Sequence, residues 1–176
     1  MNTAQNEMKK FCIFEDDLPR DGGHWPEYAA TMFLCFDRWE NDVAFGSLWT
    51  FFRAEPVPFQ GLDQLLFIMD AVMDAAEQPG PWMSRRHVGE QKEPHPASRE
   101  SVPPKGPLRP PLSFRPGRLA TVAVRVYARQ HATMQGTLRA ADCKPVCFRS
   151  GLELMYLLRE IARHPFTLHT SGQEGA

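Results

Sequence analysis

The chain has 176 residues, of which 43% are hydrophobic, so it is long enough to bury one substantial core or two small ones. No apolar run reaches the roughly 18 residues that a membrane-spanning helix needs, and the N-terminal stretch lacks a signal-peptide pattern, so we expect a cytoplasmic protein outside the membrane. Residues 1–77 carry 5 basic and 14 acidic residues (net −9), whereas residues 78–176 carry 15 and 7 (net +8). This asymmetry favours attraction within one molecule, between two copies, or between the second part and a polyanion.

Composition and periodicity divide the chain into five segments. In chain order they are an acidic leader (1–29), a first β-β-β-α unit (30–78), a Pro/Arg-rich linker (79–111), a second β-β-β-α unit (112–165) and a flexible tail (166–176). The linker holds 9 of the 16 prolines, and proline lacks the backbone donor that helices and sheets require. We therefore expect most of the linker to be extended and poorly ordered.

The first unit begins with a strand in which Met32, Leu34 and Phe36 alternate along one face. Asn41-Asp42 is a turn signal, after which a second strand returns over residues 43–52. A short third strand follows, and its two prolines restrict it to the edge of a sheet. Apolar residues at helical spacing then predict a helix over residues 62–76.

The second unit follows the same plan. Alternation predicts that Val126 and the valines before it face one way while Arg125, Tyr127 and Arg129 face the other. A returning strand and a short third strand over residues 146–148 come next. Ser150 followed by a glutamate three residues later is a capping-box pattern, which predicts the start of a second helix. Phe114 and Leu119, just before the first strand of this unit, are expected to dock against it.

The two units align with one another. Residues 30–48 match residues 120–138 without a gap, and the match resumes one residue out of step between residues 56–69 and 145–158. A glycine recurs at the same mid-strand position in both copies, which is typical of a bulge or a close backbone approach. The sequence therefore predicts an α+β fold of two tandem β-β-β-α repeats with pseudo-twofold symmetry, forming antiparallel sheet with the helices packed on one face.

No motif in the sequence indicates catalysis. There is no nucleophile elbow, no phosphate-cradling glycine loop and no dinucleotide fingerprint. Cys143 and Cys147 are four residues apart, but two further ligands with suitable spacing are missing, so small reduced thiols in a sheet are the favoured interpretation. We accordingly predict no catalytic residue, no cofactor and no metal.

Two faces are candidates for binding. The first is aromatic and acidic, and its rings are too many to leave in water without a protein cover: Phe33, Trp39, Phe45 and Trp49. The second is basic with an interleaved aromatic ring, a pattern that suits RNA or single-stranded nucleic acid: Arg125, Tyr127, Arg129, Gln135 and Arg139. A solvated outer sheet face is the simpler interpretation of the second set.

The stretch GRLATVAVRVYARQHATMQGTL, followed by FRSGLELMYLL, resembles small proteins of Firmicute bacteria. Those proteins carry a pattern close to R-Q-N-A-x-W-Q-G-T and then F-R-S-x-L-E-L. The resemblance covers about residues 112–162, with His131 in place of the asparagine and Met134 in place of the tryptophan. It implies a bacterial family and brings no activity with it.

These observations predict a non-catalytic protein-binding or adaptor module that works through its sheet faces, with a protein partner or self-association. An RNA-binding regulator that uses the basic face is the alternative, and an enzyme without a recognisable motif is a third. Salt-sensitive binding to nucleic acid would distinguish the first two, and a buried polar pocket with convergent titratable groups would favour the third.

Overall fold

The computed structural model describes residues 10–11, 30–51, 53, 55–76, 114–130, 133–141 and 143–164. Within them the chain forms six strands and two helices: β1 (Ala30–Glu40), β2 (Val43–Thr50), β3 (Val57–Gln60), α1 (Leu62–Ala76), β4 (Ala120–Ala128), β5 (Gln135–Ala140), β6 (Val146–Phe148) and α2 (Gly151–Arg163). The predicted order of elements is confirmed. The leader, apart from Lys10 and Phe11, together with the linker and the tail, lies outside the described residues.

All six strands belong to one antiparallel sheet in the order β3-β2-β1-β4-β5-β6. The first and fourth strands pair at its centre, and the short strands β3 and β6 are its two edges. The prediction of an α+β protein with an antiparallel sheet is therefore confirmed. None of the described helices is long and apolar enough to span a membrane.

Local sequence signals account for where the elements begin and end. Asn41 and Asp42 have φ values of 50° and 63°, so the β1–β2 hairpin uses the left-handed turn that these two residue types tolerate. The hydroxyl of Ser150 accepts a hydrogen bond from the Glu153 N–H at 3.1 Å, which caps α2 as the sequence predicts. Gly61 precedes α1 with a φ of +90°, a conformation that favours glycine.

Both helices pack on the same face of the sheet and enclose the main core. The predicted inward residues of β1, from Met32 to Phe36, are buried there with the valines of β4. Leu65 and Met69 of α1 and Leu158 of α2 cover them from the helix side. Apolar residues recur every second residue in the strands and about every 3.6 residues in the helices. Each element therefore has one apolar face, and these faces pack together.

A second, smaller cluster lies on the opposite face of the sheet, which we call the outer face. Phe33 and Trp49 are buried in it, and Phe114 closes over both rings with centroid distances of 5.5 Å and 5.7 Å. Phe11 of the leader is buried in the same cluster. The expected docking of Phe114 before β4 is thus confirmed, and Leu119 packs against the main core instead of the outer face.

Candidate protein-binding surface

The four aromatic residues predicted to form one binding face are divided by the structure. Phe33 and Trp49 are covered by residues of the same chain, so they form part of the fold's interior. Trp39 is half-buried and packs against the main core on the helix side. Phe45 is half-buried, and the Arg38 guanidinium lies 4.1 Å from its ring centroid. The prediction that these rings share one outer face is wrong.

A β-bulge explains the different position of Trp39. The register of β1 against β2 shifts between Phe36 and Arg38, so Asp37 is an extra residue in the pairing. Because side chains alternate between the two faces, one extra residue moves every later side chain to the opposite face. Trp39 therefore lies on the helix side, where the Arg163 guanidinium of α2 sits 5.6 Å from its ring centroid.

The basic set is divided in the same way. The register of β4 shifts between Val126 and Ala128, and Arg129 consequently lies on the helix side. Its side chain is only 5% exposed, and Nη2 lies 2.8 Å from Asp70 and 2.6 Å from Asp74 of α1. The prediction that Arg129 shares a face with Arg125 is wrong, for the same reason as for Trp39.

The other members of the basic set remain on the outer face of β4 and β5. The Tyr127 hydroxyl and the Thr137 hydroxyl share a hydrogen bond of 2.9 Å, and the Arg125 guanidinium lies 5.4 Å from the Tyr127 ring centroid. Arg125 itself is buried. Gln135 accepts from the Gln130 N–H at 3.1 Å and donates to its carbonyl at 3.2 Å. The amide of Gln135 is therefore engaged in holding the turn between β4 and β5.

The opposite charges of the two parts of the chain meet within the molecule. Besides the contacts of Arg129, Asp42 in the β1–β2 turn accepts from Arg163 of α2 and lies 3.9 Å from Arg159. The hydrogen bond from Arg163 lowers the pKa of Asp42 below its usual value, and the nearby charges of Arg163 and Arg159 add to this effect. Three acidic residues of the first part and three basic residues of the second part thus hold each helix against the other half of the molecule.

Large apolar side chains remain exposed on the helix layer, on the side that faces solvent. Phe67 of α1 is 75% exposed, and Leu152 and Tyr156 of α2 are 61% and 62% exposed. Phe67 lies two residues after the buried Leu65, which places it about 200° around the helix from the core-facing stripe. Tyr156 lies two residues after the buried Leu154, in the same relation to its own helix.

A repeated aromatic residue in the sequence marks this surface. Phe67 lies outside the apolar stripe of α1, and the alignment of residues 56–69 with 145–158 pairs it with Tyr156. An aromatic residue at the same off-stripe position in both helices is not explained by packing. Leu152 of α2 also points to solvent. We call Phe67, Leu152 and Tyr156 the helix-layer surface.

The described residues include three free thiols, of which Cys35 is buried. Burial raises the pKa of Cys35 to about 12, against a weaker opposing effect of the hydrogen bond with Thr121, so this thiol is protonated at neutral pH. Cys143 and Cys147 are free thiols. Within the described part of the chain, no three histidine, cysteine, aspartate or glutamate residues are placed to hold a metal ion.

No protein-family model, curated protein or solved structure matches the chain.

Proposed function

We propose that the chain is a non-catalytic protein-binding module built from two copies of one β-β-β-α unit, related by a pseudo-twofold axis at the middle of the sheet. The register of the central strands supports the duplication. Phe33 pairs with Ala123, its own equivalent in the alignment of the two units. Met32 pairs with Val124, which is the equivalent of Leu34. A twofold axis through the Phe33–Ala123 pair would generate this register.

Irregular features recur at equivalent positions, and these support the duplication more strongly than regular strands would. The bulges begin after Phe36 in β1 and after Val126 in β4. Gly46 and Gly136 lie beside them, and at both a Cβ atom would collide with a carbonyl of the central strand and with a phenylalanine ring of the edge strand. Bulges are retained features of related folds, so their recurrence favours a common origin of the two units.

The charges of the helices differ between the units in a complementary way. When the alignment of the two helices is continued at the same offset, Asp70 and Asp74 of α1 correspond to Arg159 and Arg163 of α2. The aspartates contact Arg129 of the second unit, and the arginines contact the β1–β2 turn of the first. Two identical units would place like charges at these contacts. We infer that the divergence makes each unit recognise the other rather than a second copy of itself.

One observation carries the binding proposal: Phe67 and Tyr156 occupy equivalent positions and are both mostly exposed. Leu152 extends the apolar area on α2. Exposed aromatic side chains are enriched at protein interfaces, where they supply large contact areas at a small entropic cost. Asp70 follows Phe67 and Arg159 follows Tyr156 by three residues on the same helix, so groups of opposite charge adjoin the two rings. The outer face is a weaker candidate because the same chain covers its rings.

Affinity capture from the source cell tests the proposal. We expect the wild-type chain to retain a protein partner, and the double substitution Phe67→Ser with Tyr156→Ser to lose it, because the contact area is removed without touching the core. Tyr127→Ser is the matched control, since this exposed ring lies on the other side of the sheet. Circular dichroism should be the same for all three proteins. Retention of the partner by the double variant would contradict the proposal.

The RNA-binding alternative predicts a different result in the same experiment. It depends on the cationic and aromatic residues of the basic set that lie on the outer face, which are Arg125, Tyr127 and Arg139. Capture would then be abolished by nuclease and by Arg139→Glu, and binding to RNA on a filter would fall steeply with salt concentration. Insensitivity to nuclease together with loss in the helix-layer double variant would exclude this alternative.

A further inference from the structure

The two edges of the sheet differ at a single backbone donor. An edge strand presents outward N–H and C=O groups with which another strand can pair, and proteins usually block this pairing. The edges here are the short strands β3 and β6. They lie in similar local sequences, which are Glu-Pro-Val-Pro-Phe-Gln at residues 55–60 and Lys-Pro-Val-Cys-Phe-Arg at residues 144–149.

The edge at β3 has no open donor. The Gly61 N–H donates to the Ala44 carbonyl at 2.8 Å, and from there the hydrogen-bonded pairs with β2 alternate, so the amides of Gln60 and Pro58 point away from β2. Proline carries no N–H. The outward N–H of Gln60 donates to the Gln64 side chain at 2.6 Å. Both outward positions of β3 are therefore closed to a further strand.

The edge at β6 is closed at its ends and open in its middle. Pro145 lacks an N–H, and the outward N–H of Arg149 donates to the Glu153 carboxylate at 2.7 Å. This hydrogen bond is the main cause of the lowered pKa of Glu153. Cys147 lies between them, opposite Thr137 of β5, and its amide points the same way as that of Arg149. No described residue accepts a hydrogen bond from the Cys147 N–H.

The side chains along this edge are basic. Lys144 is exposed, and the side chain of Arg149 is 88% exposed, with its Nε 3.5 Å from the Glu153 carboxylate. The equivalent positions at the β3 edge hold Glu55 and Gln60. The Cys147 N–H, for which no acceptor lies among the described residues, thus sits between two cationic residues of the strand, which favours a strand that carries carboxylates over a neutral or basic one.

We propose that the β6 edge binds an extended acidic segment of a protein partner by strand addition, with antiparallel pairing centred on Cys147. The Cys147 N–H donates to a carbonyl of the incoming strand, and the opposite N–H of that strand donates to the Cys147 carbonyl. Carboxylates of the incoming strand, on either side of this central pair, contact Lys144 and Arg149. This site is separate from the helix-layer surface and goes beyond the binding proposed for it.

A second copy of the chain is a poorer occupant of the same edge. Two β6 strands paired about Cys147 would bring both copies of Lys144 and Arg149 to one seam, and like charges repel there. Such a pairing would also form only the two hydrogen bonds of the central pair, because Pro145 has no N–H and that of Arg149 is already engaged. An acidic strand supplies its own donors to the outward carbonyls as well.

An NMR titration of the ¹⁵N-labelled full chain tests this inference, with a capped peptide of alternating glutamate and valine as the probe. We expect amide shifts at Cys147 and its two neighbours in β6, and about tenfold or greater weakening in Cys147→Pro. Pro58 occupies the equivalent position in β3, so the fold is expected to tolerate this substitution, and the rest of the spectrum verifies it. A probe of alternating lysine and valine should bind more weakly than the acidic one.

Three results would overturn the inference: no shift in β6, equal affinity of Cys147→Pro for the acidic probe, or equal affinity of the wild type for both probes. Sedimentation of the unliganded chain tests whether a second copy binds the β6 edge instead. Self-association that Cys147→Pro abolishes would make a second copy the occupant and would contradict the acidic-partner proposal. None of these results depends on Phe67 or Tyr156, so the two binding proposals fail separately.

Discussion

Arg129 near the end of β4 donates to Asp74 of α1 over 2.6 Å, and the same guanidinium lies 2.8 Å from Asp70. An arginine that the sequence places among candidate nucleic-acid contacts is thereby part of the contact between the two halves of the molecule. Its side chain is nearly inaccessible to water, and the two carboxylates neutralise it. The basic second half is therefore less free to bind a polyanion than its net charge suggests.

Replacing Arg129 by alanine is expected to destabilise the protein by about 2–4 kcal/mol, because a buried side chain is removed and the half-buried Asp70 and the exposed Asp74 lose their partner. Urea unfolding followed by circular dichroism measures this change. Arg118→Ala is the control, since this exposed residue contacts Asp37 only through its backbone N–H, and we expect a change within about 0.5 kcal/mol. Equal stabilities of the two variants would contradict the role given to Arg129.

Trp49 and Phe67 are predicted to respond in opposite ways to substitution by alanine. Trp49 is buried against Phe114 and Phe33, so its loss is expected to cost about 3–5 kcal/mol of unfolding free energy. Phe67 is mostly exposed, and its replacement should leave stability within about 0.5 kcal/mol of the wild type. Chemical denaturation of both variants provides the comparison. A neutral effect at Trp49 would mean that the outer cluster does not hold the fold together.

The paired glycines are expected to behave alike. A Cβ at Gly46 would lie 2.8 Å from the Phe59 ring and would collide with the Cys35 carbonyl, and one at Gly136 would lie 2.9 Å from the Phe148 ring and collide with the Arg125 carbonyl. Gly46→Ala and Gly136→Ala should each destabilise by at least about 1–3 kcal/mol, as overpacked sites do.

Gly151 offers the matched control for these substitutions. It is the first residue of α2, and a Cβ there would meet nothing closer than 3.5 Å. Gly151→Ala is expected to be neutral or to stabilise by about 0.4–1 kcal/mol, because alanine restricts the unfolded chain. Thermal unfolding of the three variants measures these changes. If only one of Gly46→Ala and Gly136→Ala were destabilised, the equivalence of the two glycines would be contradicted.

The buried thiol of Cys35 gives a prediction about alkaline pH. Burial raises its pKa to about 12 from an ordinary value of 9.0, so the folded state holds this proton where the unfolded state releases it. Its contribution to stability is complete below pH 9 and is lost as the pH rises from 9 towards 12. Replacing Cys35 by alanine should flatten the fall of the unfolding free energy across this range. In the wild type, iodoacetamide at pH 8 should label Cys147 and leave Cys35 unmodified.

Much of the fold could be predicted from the sequence because its signals are local. Alternation gave the buried face of β1 from Met32 to Phe36, and helical spacing gave the extent of α1. The capping pattern placed the start of α2 at Ser150. Each of these depends on residues within a few positions of one another, where periodicity and capping chemistry act directly.

The candidate site was harder to predict, for two physical reasons. A bulge adds one residue and reverses the face of everything after it, so Trp39 and Arg129 lie on the helix side although strict alternation places them outside. The cover over Phe33 and Trp49 comes from Phe11 and Phe114, which lie before the aligned segments that begin at residues 30 and 120. No pattern within a hairpin predicts a cover supplied from such a distance along the chain.

Site-specific photo-crosslinking tests the central claim most directly. A photoreactive phenylalanine analogue is placed at position 67 or 156 of the full chain in the source cell, with position 127 on the opposite side of the sheet as the control. The helix-layer surface predicts crosslinks to a protein from positions 67 and 156, unchanged by nuclease treatment, and little or none from 127. Crosslinks from position 127 alone, with none from 67 or 156, would contradict it.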